Sequence, residues 1–397
     1  MLNTQFSPWP SFTEEEATAV SSVLLSNKVN YWTGQEGREF EKEFAQFTDC
    51  HYAVAVANGT LALDLALVAL SVGLSNGGST NDEVIVTSRT FLASVSSIVT
   101  AGAKPVFADV DVNSQNITAE TISAVLTSNT KAIICVHLAG MPCEMDEIIA
   151  LANVYSIKVI EDCAQAHGAK YKDQSVGSIG DIGCWSFCQD KIMTTGGEGG
   201  MVTTNSKPLW KKMWAYKDHG KSWDAIYNKE HPPGFRWLHE SFGTNWRLTE
   251  MQSAIGRIQL KKVPTWFDSR NNNAAKIELS LKNYKLIRTV DVPDYIDHAQ
   301  YKYYVFIKAE LLSNDWTRDR IVDEINSLGV PCFQGSCSEV YLEKAFDNTD
   351  FRPRKALPVA KELGETSLMF LVHPTLTEEE LDKTCKVIAK VLNQASL

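Results

Sequence analysis

The 397-residue chain lacks the features that would place it in a membrane or on a nucleic acid. No stretch approaches the roughly 18 consecutive apolar residues of a transmembrane helix, so no segment is expected to span a bilayer. Net positive charge is also absent, since the formal charge is -10, whereas a sequence-independent nucleic-acid binder needs a basic face. The first residues show neither the basic nor the apolar region of a secretory signal. These absences favour a cytoplasmic globular protein.

The nine cysteines lack the spacing of a metal site. Cys184 and Cys188 flank a strand-like WSF, and no second pair or histidine cluster completes a zinc set. We therefore expect reduced structural thiols and no metal, with metal or redox chemistry as the alternative.

Short β-rich runs alternate with helix-like segments through the first two thirds of the chain. This alternation predicts an α/β fold in which helices flank both faces of a mostly parallel sheet. The predicted strands are YAVAVANG, DEVIVTS, KPVFADVD, KAIICVHLAG, IKVIEDCA, DIGCWSFC and GGMVTTN. The predicted helices between them include TLALDLALVALSV, FLASVSSIVTAG and MDEIIALANVYS.

A smaller α/β domain is predicted at the C-terminus. TEMQSAIGRIQLKKV reads as a helix with Thr249 as its N-cap, and SRNNNAAKIELSLKN reads as another helix, along which we place the boundary. The large domain is expected to span residues 1–265, beginning with an N-terminal arm of about 30 residues. The small domain is expected to span residues 266–397, with YKYYVFIKAE as a strand and two helices after it.

Residues 217–246, called the insert below, interrupt the periodic pattern. They are polar and aromatic, include a Pro-Pro pair, and show no sustained helical or strand period. A loop of this length is usually functional or disordered. Its tryptophans and phenylalanines favour an ordered segment.

Lys191 is the residue around which a candidate site can be assembled. It lies in QDKIMTTGGEGG, on the connection between the last two predicted strands. Ligands of open parallel sheets bind beyond the carboxyl ends of the strands. At one such end Gly59 and Thr60 form a strand-to-helix turn whose N–H groups attract an anion, although a plain helix cap is the alternative. Ser186 could donate its hydroxyl to the same anion, or be an ordinary strand serine.

Two further residues follow predicted strands. Asp162 comes directly after the buried-looking run IKVI, and a buried carboxylate needs a partner. That partner could be a ligand cation, or Asp162 could cap a helix formed by AQAHG. Phe91 could cover a planar ligand, or belong to the core.

An anion site, a buried carboxylate, an aromatic ring and a lysine together match the needs of pyridoxal phosphate. Its phosphate needs N–H donors and hydroxyls, its ring nitrogen needs an acid, and its aldehyde needs a lysine amine. The glycines of TGGEGG would let the main chain pass close to the lysine and the bound ring. A P-loop needs Gly-Lys-Ser or Gly-Lys-Thr, and a dinucleotide fingerprint should open a helix, so both are excluded here.

The motifs EDCAQAHGA, GSIGDIGCWSFCQDKIMTTGGEGGMVTTN and GTNWRLTEMQSAIGRIQL closely resemble the DegT/DnrJ/StrS-type sugar aminotransferases. The resemblance runs from WPSFTEEE to HPTLTEEEL, which is nearly the whole chain. It implies the fold of type I pyridoxal-phosphate enzymes, the aspartate aminotransferase fold.

The resemblance also implies roles for the residues that would contact the ring of the cofactor. Lys191 corresponds to the lysine that bonds to the cofactor aldehyde, and Asp162 to the acid at the ring nitrogen. Gln165 corresponds to the residue beside the ring hydroxyl, and Phe91 to the aromatic that stacks on the ring.

A second group corresponds to the phosphate-binding residues of the family. Gly59, Thr60 and Ser186 match the phosphate cup of one subunit. Asn245, in GTNWR, resembles an asparagine that reaches the phosphate from the neighbouring subunit. The resemblance therefore implies a homodimer with shared active sites.

The implied activity is amino transfer from an amino acid, expected to be L-glutamate, to a keto sugar for cell-surface polysaccharide or lipopolysaccharide. The acceptor would be a nucleotide-linked keto-deoxy sugar or an 8-oxo-octulosonic acid, as in the 8-amino-3,8-dideoxy-octulosonate pathway. A dehydratase of the same family, which would carry histidine in place of Lys191, and a non-catalytic cofactor-binding regulator are the alternatives. Ala139 stands where an aromatic is common in the family, and the insert is long, so the sugar pocket is where the resemblance is weakest.

Overall fold

A computed structural model describes residues 6–230, 234 and 236–396. The helices are α1 (Glu14–Leu25), α2 (Glu36–Phe47), α3 (Gly59–Leu70), α4 (Ala93–Thr100), α5 (Ala119–Ser123), α6 (Met145–Tyr155), α7 (Lys207–Tyr216), α8 (Trp223–Tyr227), α9 (Glu250–Leu281), α10 (Arg318–Ser327), α11 (Pro358–Thr366) and α12 (Glu378–Ala395). The strands are β1 (Tyr52–Val56), β2 (Glu83–Thr87), β3 (Lys104–Ala108), β4 (Thr130–Val136), β5 (Lys158–Asp162), β6 (Lys170–Tyr171), β7 (Gln174–Ser175), β8 (Ile182–Ser186), β9 (Gly200–Thr204), β10 (Ile287–Thr289), β11 (Ile296–Asp297), β12 (Tyr303–Ile307), β13 (Cys332–Phe333) and β14 (Ser367–Phe370).

Seven strands form the main sheet, in the order β1-β9-β8-β5-β4-β2-β3. Neighbours from β8 to β3 are parallel, whereas β9 is antiparallel to both β1 and β8. These are the seven strands predicted from the sequence, so the α/β fold with a mostly parallel sheet is confirmed. Because parallel strands end at the same edge, the residues after β1, β2, β5 and β8 are neighbours.

The sheet is covered by apolar side chains on both faces, as its strand composition predicts. Along β1, Val54 and Val56 contact one core cluster, while Ala53 and Ala55 contact the cluster on the opposite face. This alternation follows from the two-residue period of a strand. The predicted helices α3, α4 and α6 connect consecutive strands of the sheet.

The C-terminal part of the chain builds a separate four-stranded antiparallel sheet, β10-β12-β14-β13. The core beneath this sheet includes residues of α9, α10 and α12. The division of the chain into two domains near residue 265 remains a prediction. One prediction here is wrong, because α9 is a single helix of 32 residues rather than two helices. Pro264 lies inside it and removes one N–H donor, yet the helix continues. Thr249 caps its N-terminus, as predicted, by accepting from the N–H of Gln252.

The insert is more regular than its sequence predicts. It contains α8, whose Trp223 packs against Trp210 and Trp214 of α7. Two other aromatic side chains do not pack inward, since Trp237 is 84% and Phe242 98% exposed. The Pro-Pro pair lies outside the described residues.

All nine cysteines are free in this structure, and six of them are buried. Among the helices that the structure describes, none combines the length and apolar character needed to cross a bilayer.

Candidate active site

A cavity of about 560 Å³ opens at the carboxyl edge of the main sheet. It is the meeting point of the segments that follow β1, β2, β5 and β8. Seven of the eight predicted site residues line it: Gly59, Thr60, Phe91, Asp162, Gln165, Ser186 and Lys191. The eighth, Asn245, lies on an exposed segment of the insert.

The N-terminus of α3 forms one wall of this cavity. Asn58 caps the helix by accepting from the N–H of Leu61 at 2.9 Å. The N–H groups of Gly59 and Thr60 stand at the first two helical positions, where a helix offers no acceptor of its own. A Cβ on Gly59 would lie 2.6 Å from that of Ser186, so only glycine lets helix and strand approach this closely. The wall therefore presents N–H donors beside the Ser186 hydroxyl, the arrangement that binds a phosphate group.

Asp162 is a buried carboxylate held by two short contacts. Its Oδ2 accepts from the Ser94 hydroxyl at 2.7 Å, and its Oδ1 accepts from the N–H of Ala164 at 3.2 Å. Thr90 supports Ser94 through a hydroxyl contact of 3.0 Å. Burial raises the pKa of Asp162, against the opposing effects of these hydrogen bonds and the charge of Lys191. The chain after Asp162 forms turns, so the alternative of a cap for an AQAHG helix is wrong.

Gln165 is fixed by the backbone that follows the neighbouring strand β4. Its Oε1 accepts from the N–H of Ala139 at 2.8 Å, which leaves the amide N–H groups available to a ligand. Ala139 has a left-handed backbone with φ of 58°. The residue singled out as a departure from the family is therefore part of the framework behind Gln165.

Phe91 lies at the mouth of the cavity with 72% of its surface exposed. The alternative that Phe91 belongs to the core is therefore wrong. A ring at this position can cover a planar ligand that enters the cavity.

Lys191 reaches the cavity from the connection between β8 and β9, as predicted. Its Nζ lies 3.9 Å from Oδ1 of Asp190 and 5.2 Å from the ring centre of Tyr301. The Tyr301 hydroxyl donates to Oδ2 of Asp190. Burial acts to raise the pKa of Asp190, but the charge of Lys191 and this hydrogen bond outweigh it and lower the pKa. The main-chain oxygen of Lys191 accepts from the indole N–H of Trp9 at 2.8 Å.

The glycines after Lys191 have a different role from the one predicted. Gly196 and Gly197 adopt positive φ angles of 87° and 124° at the turn. A Cβ on Gly200 would lie 2.3 Å from the main-chain oxygen of Asn58. Gly200 therefore allows β9 to approach the start of α3, rather than making room beside the lysine.

Sequence reasoning missed several residues of this site. Ser94 lies one helical turn after Phe91, and Asp190 precedes Lys191, so proximity along the chain could have indicated both. Tyr301 and Trp9 carry no such signal, because they are 111 and 182 residues from their partners Asp190 and Lys191.

The residues present fit pyridoxal phosphate. A helix N-terminus with a hydroxyl suits its phosphate, and a lysine amine suits its aldehyde. The buried carboxylate with a raised pKa is the clearest match, since a protonated ring nitrogen is the cation that would pair with it. Such a set can activate an amino-acid carbon for exchange of its amino group.

A second buried cluster lies behind the cavity. Among the described residues, His137, Glu161 and Cys163 form one group whose donor atoms are close enough to hold a metal. However, Nδ1 of His137 accepts from the N–H of Cys143, so its Nε2 donates to Glu161 at 3.0 Å. Glu161 also accepts from three main-chain N–H groups, at residues 177, 179 and 180. These bonds occupy the ligand atoms of His137 and Glu161, and we assign the cluster a structural role.

Comparison with known proteins extends over almost the whole chain. The sequence profile of the DegT/DnrJ/EryC1/StrS aminotransferase family matches residues 10–389. GDP-perosamine synthase of Escherichia coli O157:H7 is 34% identical over 383 residues, which are 96% of each chain. UDP-N-acetyl-3-dehydro-alpha-D-glucosamine 3-aminotransferase of Acidithiobacillus ferrooxidans is 33% identical over 99% of this chain and 97% of that relative. The crystal structure of an aminotransferase from Psychrobacter cryohalolentis is 62% identical, with a TM-score of 0.95 over 98% of this chain and 99% of the other.

Proposed function

The chain belongs to the DegT/DnrJ/EryC1/StrS family of pyridoxal-phosphate-dependent sugar aminotransferases, and from this premise we propose that its amino acceptor is a nucleotide-linked keto sugar. Two relatives that match nearly the whole chain are named for GDP-linked and UDP-linked sugars. We propose L-glutamate as the amino donor. We also propose that the enzyme acts in the cytoplasm and that its amino-sugar product is used for surface polysaccharide. The 8-oxo-octulosonic acid remains a second acceptor to be tested.

The observation that carries the assignment of residues is the grouping of Lys191, Asp162 and the start of α3 around one cavity. The N–H groups of Gly59 and Thr60 and the hydroxyl of Ser186 bind the phosphate. Asp162 holds a proton on the ring nitrogen of the cofactor. Ser94 donates to Asp162 and keeps this carboxylate directed into the cavity.

Lys191 has two tasks in this proposal. Its amine would hold the cofactor aldehyde, and as a free amine it would move the proton of the substrate carbon. Bound pyridoxal phosphate supplies an electron sink for the negative charge that develops at that carbon. Phe91, at the mouth of the cavity, would cover one face of the ring and limit the access of water. The presence of Lys191 rather than histidine favours amino transfer over dehydration.

We further propose that Asn245 completes the phosphate site of a neighbouring subunit. Asn245 is exposed, and the aromatic residues Trp237 and Phe242 of the same insert project from the subunit. A surface that a second subunit covers would account for two such side chains on one short segment. The main-chain oxygen of Trp246 accepts from the N–H of Ala57, two residues before Gly59, so this segment lies beside the strand that leads to the phosphate cup. A homodimer would bring two such segments and two cups together.

The donor half-reaction tests the proposed function directly. Purified enzyme mixed with L-glutamate should lose its visible pyridoxal band and gain the band of pyridoxamine phosphate. Addition of the correct keto sugar should restore the first band. GDP-, UDP- and dTDP-linked keto sugars and an 8-oxo-octulosonic acid would form the acceptor panel. A dehydratase or a non-catalytic binder would not complete this cycle.

Borohydride reduction followed by peptide mapping tests the lysine. The resting enzyme should carry the reduced cofactor on Lys191, and Lys191→Ala should carry none. Cofactor attached to another lysine in the unaltered enzyme would refute the assignment of the site.

A further inference from the structure

The start of the N-terminal arm, residues 6–11, lies between the small domain and the connection from β8 to β9 that carries Lys191. Phe6 packs against the core of the small domain. The N–H of Ser7 donates to Glu380 at 2.5 Å, and the Thr375 hydroxyl donates to the main-chain oxygen of Pro8 at 2.8 Å. The arm is therefore attached to the C-terminal part of the chain at several points.

Trp9 is the residue through which this arm touches the active site. Its indole N–H donates to the main-chain oxygen of Lys191 at 2.8 Å. The ring meets Trp266 of α9 edge-on at 5.1 Å and stacks on His373 at 6.0 Å. Arg270, which is also on α9, lies over the same ring at 5.1 Å. Three contacts thus fix the orientation of the ring, and the ring fixes the direction of its N–H.

Arg270 also supports the surroundings of the Lys191 side chain. Nη1 of Arg270 donates to the main-chain oxygen of Tyr301 at 3.1 Å, and the Tyr301 ring lies below the Lys191 amine. Arg270 is fully buried and carries a charge, so a movement that broke its contacts would cost considerable free energy. The main chain of Lys191 and the ring below its amine therefore share one support, the middle of α9.

We propose that Trp9 is a positioning residue for Lys191. Its N–H holds the peptide of Lys191 in the orientation from which the amine reaches the cofactor aldehyde. The other main-chain bond of the lysine, from its N–H to the oxygen of Cys188 at 3.1 Å, belongs to the local turn and leaves the peptide that follows unrestrained. This inference rests on the proposed function only in taking Lys191 as the lysine that binds the cofactor.

Trp9→Phe isolates the proposed bond, because it keeps an aromatic ring against Trp266, His373 and Arg270 but removes the N–H. Trp266→Phe is the matched control, since it alters the same aromatic contact and leaves the N–H of Trp9 in place. Both proteins would first be shown to unfold near the temperature of the unaltered protein. They would then be stripped of cofactor and mixed with pyridoxal phosphate.

The measured quantities are the rate at which the visible band forms and the circular dichroism of that band. The band forms when the Lys191 amine adds to the aldehyde carbon and one water leaves. We expect Trp9→Phe to slow this step about fivefold, the factor that one net hydrogen bond supplies, and to change the visible dichroism. Trp266→Phe should match the unaltered protein in both.

Equal rates and dichroism for Trp9→Phe and the unaltered protein would overturn the inference, and so would equal slowing in both variants, which would indicate general loosening of the arm. Borohydride mapping of the unaltered protein separates this failure from that of the proposed function. If Lys191 is labelled there and only the variant comparison fails, the function stands and the positioning role falls.

Discussion

At the scale of one residue, burial of the Asp162 carboxylate lowers the stability of the fold but suits the role that we propose for it. The carboxylate is buried, and burial raises its pKa. Ser94 and the N–H of Ala164 offset part of the cost of the buried charge, but they supply no positive charge. Under our proposal, a cation that arrives with the ligand pairs with this carboxylate.

Asp162→Asn should slow amino transfer by about 100-fold or more while the fold remains intact. The amide can occupy the same place between Ser94 and Ala164, but it cannot hold a proton on the ring nitrogen of the cofactor. Steady-state kcat and the visible spectrum of the bound cofactor would measure this. Near-normal turnover would show that Asp162 serves only the turn that follows it.

The same substitution should stabilise the cofactor-free protein at neutral pH. Because the folded-state pKa of Asp162 is raised, its contribution to stability is present at acidic pH and is lost as pH rises through that pKa. Asp162→Asn removes this loss, so its Tm should exceed that of the unaltered protein by roughly 1–2 °C at pH 7 and converge with it near pH 4. Thermal unfolding from pH 4 to 8 would measure the difference. A difference that does not change with pH would contradict this explanation.

At the scale of secondary-structure elements, the proposed phosphate site depends on the contact between α3 and β8. Gly59 lies so close to Ser186 that a Cβ would fall 3.1 Å from the main-chain Cα of that serine. Helix and strand can therefore present their donors to one anion only while residue 59 has no side chain.

Gly59→Ala should weaken the binding of pyridoxal phosphate about tenfold, because α3 must move away from β8. Pyridoxal, which lacks the phosphate, should be affected much less. Thr60→Ala keeps the main-chain N–H and serves as the comparison for a lost hydroxyl. Equilibrium titration of the cofactor-free proteins with both ligands would give the ratio of affinities. An unchanged ratio in Gly59→Ala would place the phosphate elsewhere.

The elements were also what the sequence predicted best. Each strand of the main sheet is a short β-rich run buried on both faces, a pattern that is local and therefore visible in sequence. The continuity of α9 could not be predicted from the sequence, because proline usually ends a helix. The packing that stabilises this helix on both sides of Pro264 involves residues distant in sequence. The contacts of Trp9 and Tyr301 with the lysine segment were hidden for the same reason. The motifs and the ends of the predicted strands indicated the residues that the structure brings together at one cavity, whereas tertiary contacts supply the residues that support them.

At the scale of the whole molecule, the exposed position of Asn245 makes a single subunit incomplete under our proposal. If Asn245 binds the phosphate of the neighbouring subunit, assembly and cofactor binding must strengthen each other. The enzyme should then hold its cofactor more weakly on dilution.

Subunit exchange between Lys191→Ala and Asn245→Ala tests the shared site. Both parents should be inactive, but a mixed dimer carries one doubly altered site and one intact site. Random exchange makes about half of the dimers mixed, so about a quarter of the normal activity should return. Native mass spectrometry would verify the exchange. Absence of recovery after verified exchange, with inactive parents, would place Asn245 outside the neighbour's site.

Helix α9 also has a mechanical consequence. Its 32 residues extend about 48 Å, from a start packed against α1 and α2 to an end packed against α12. Pro264, near the middle, leaves the main-chain oxygen of Leu260 without its helical donor, so bending stiffness is lowest there. Trp266 and Arg270 follow this point along the helix, and both contact the Trp9 ring. A bend of about 5° at Pro264 would carry the far end of the helix by about 2 Å, while Trp266 and Arg270, and the indole of Trp9 that they contact, would move by only a fraction of that distance.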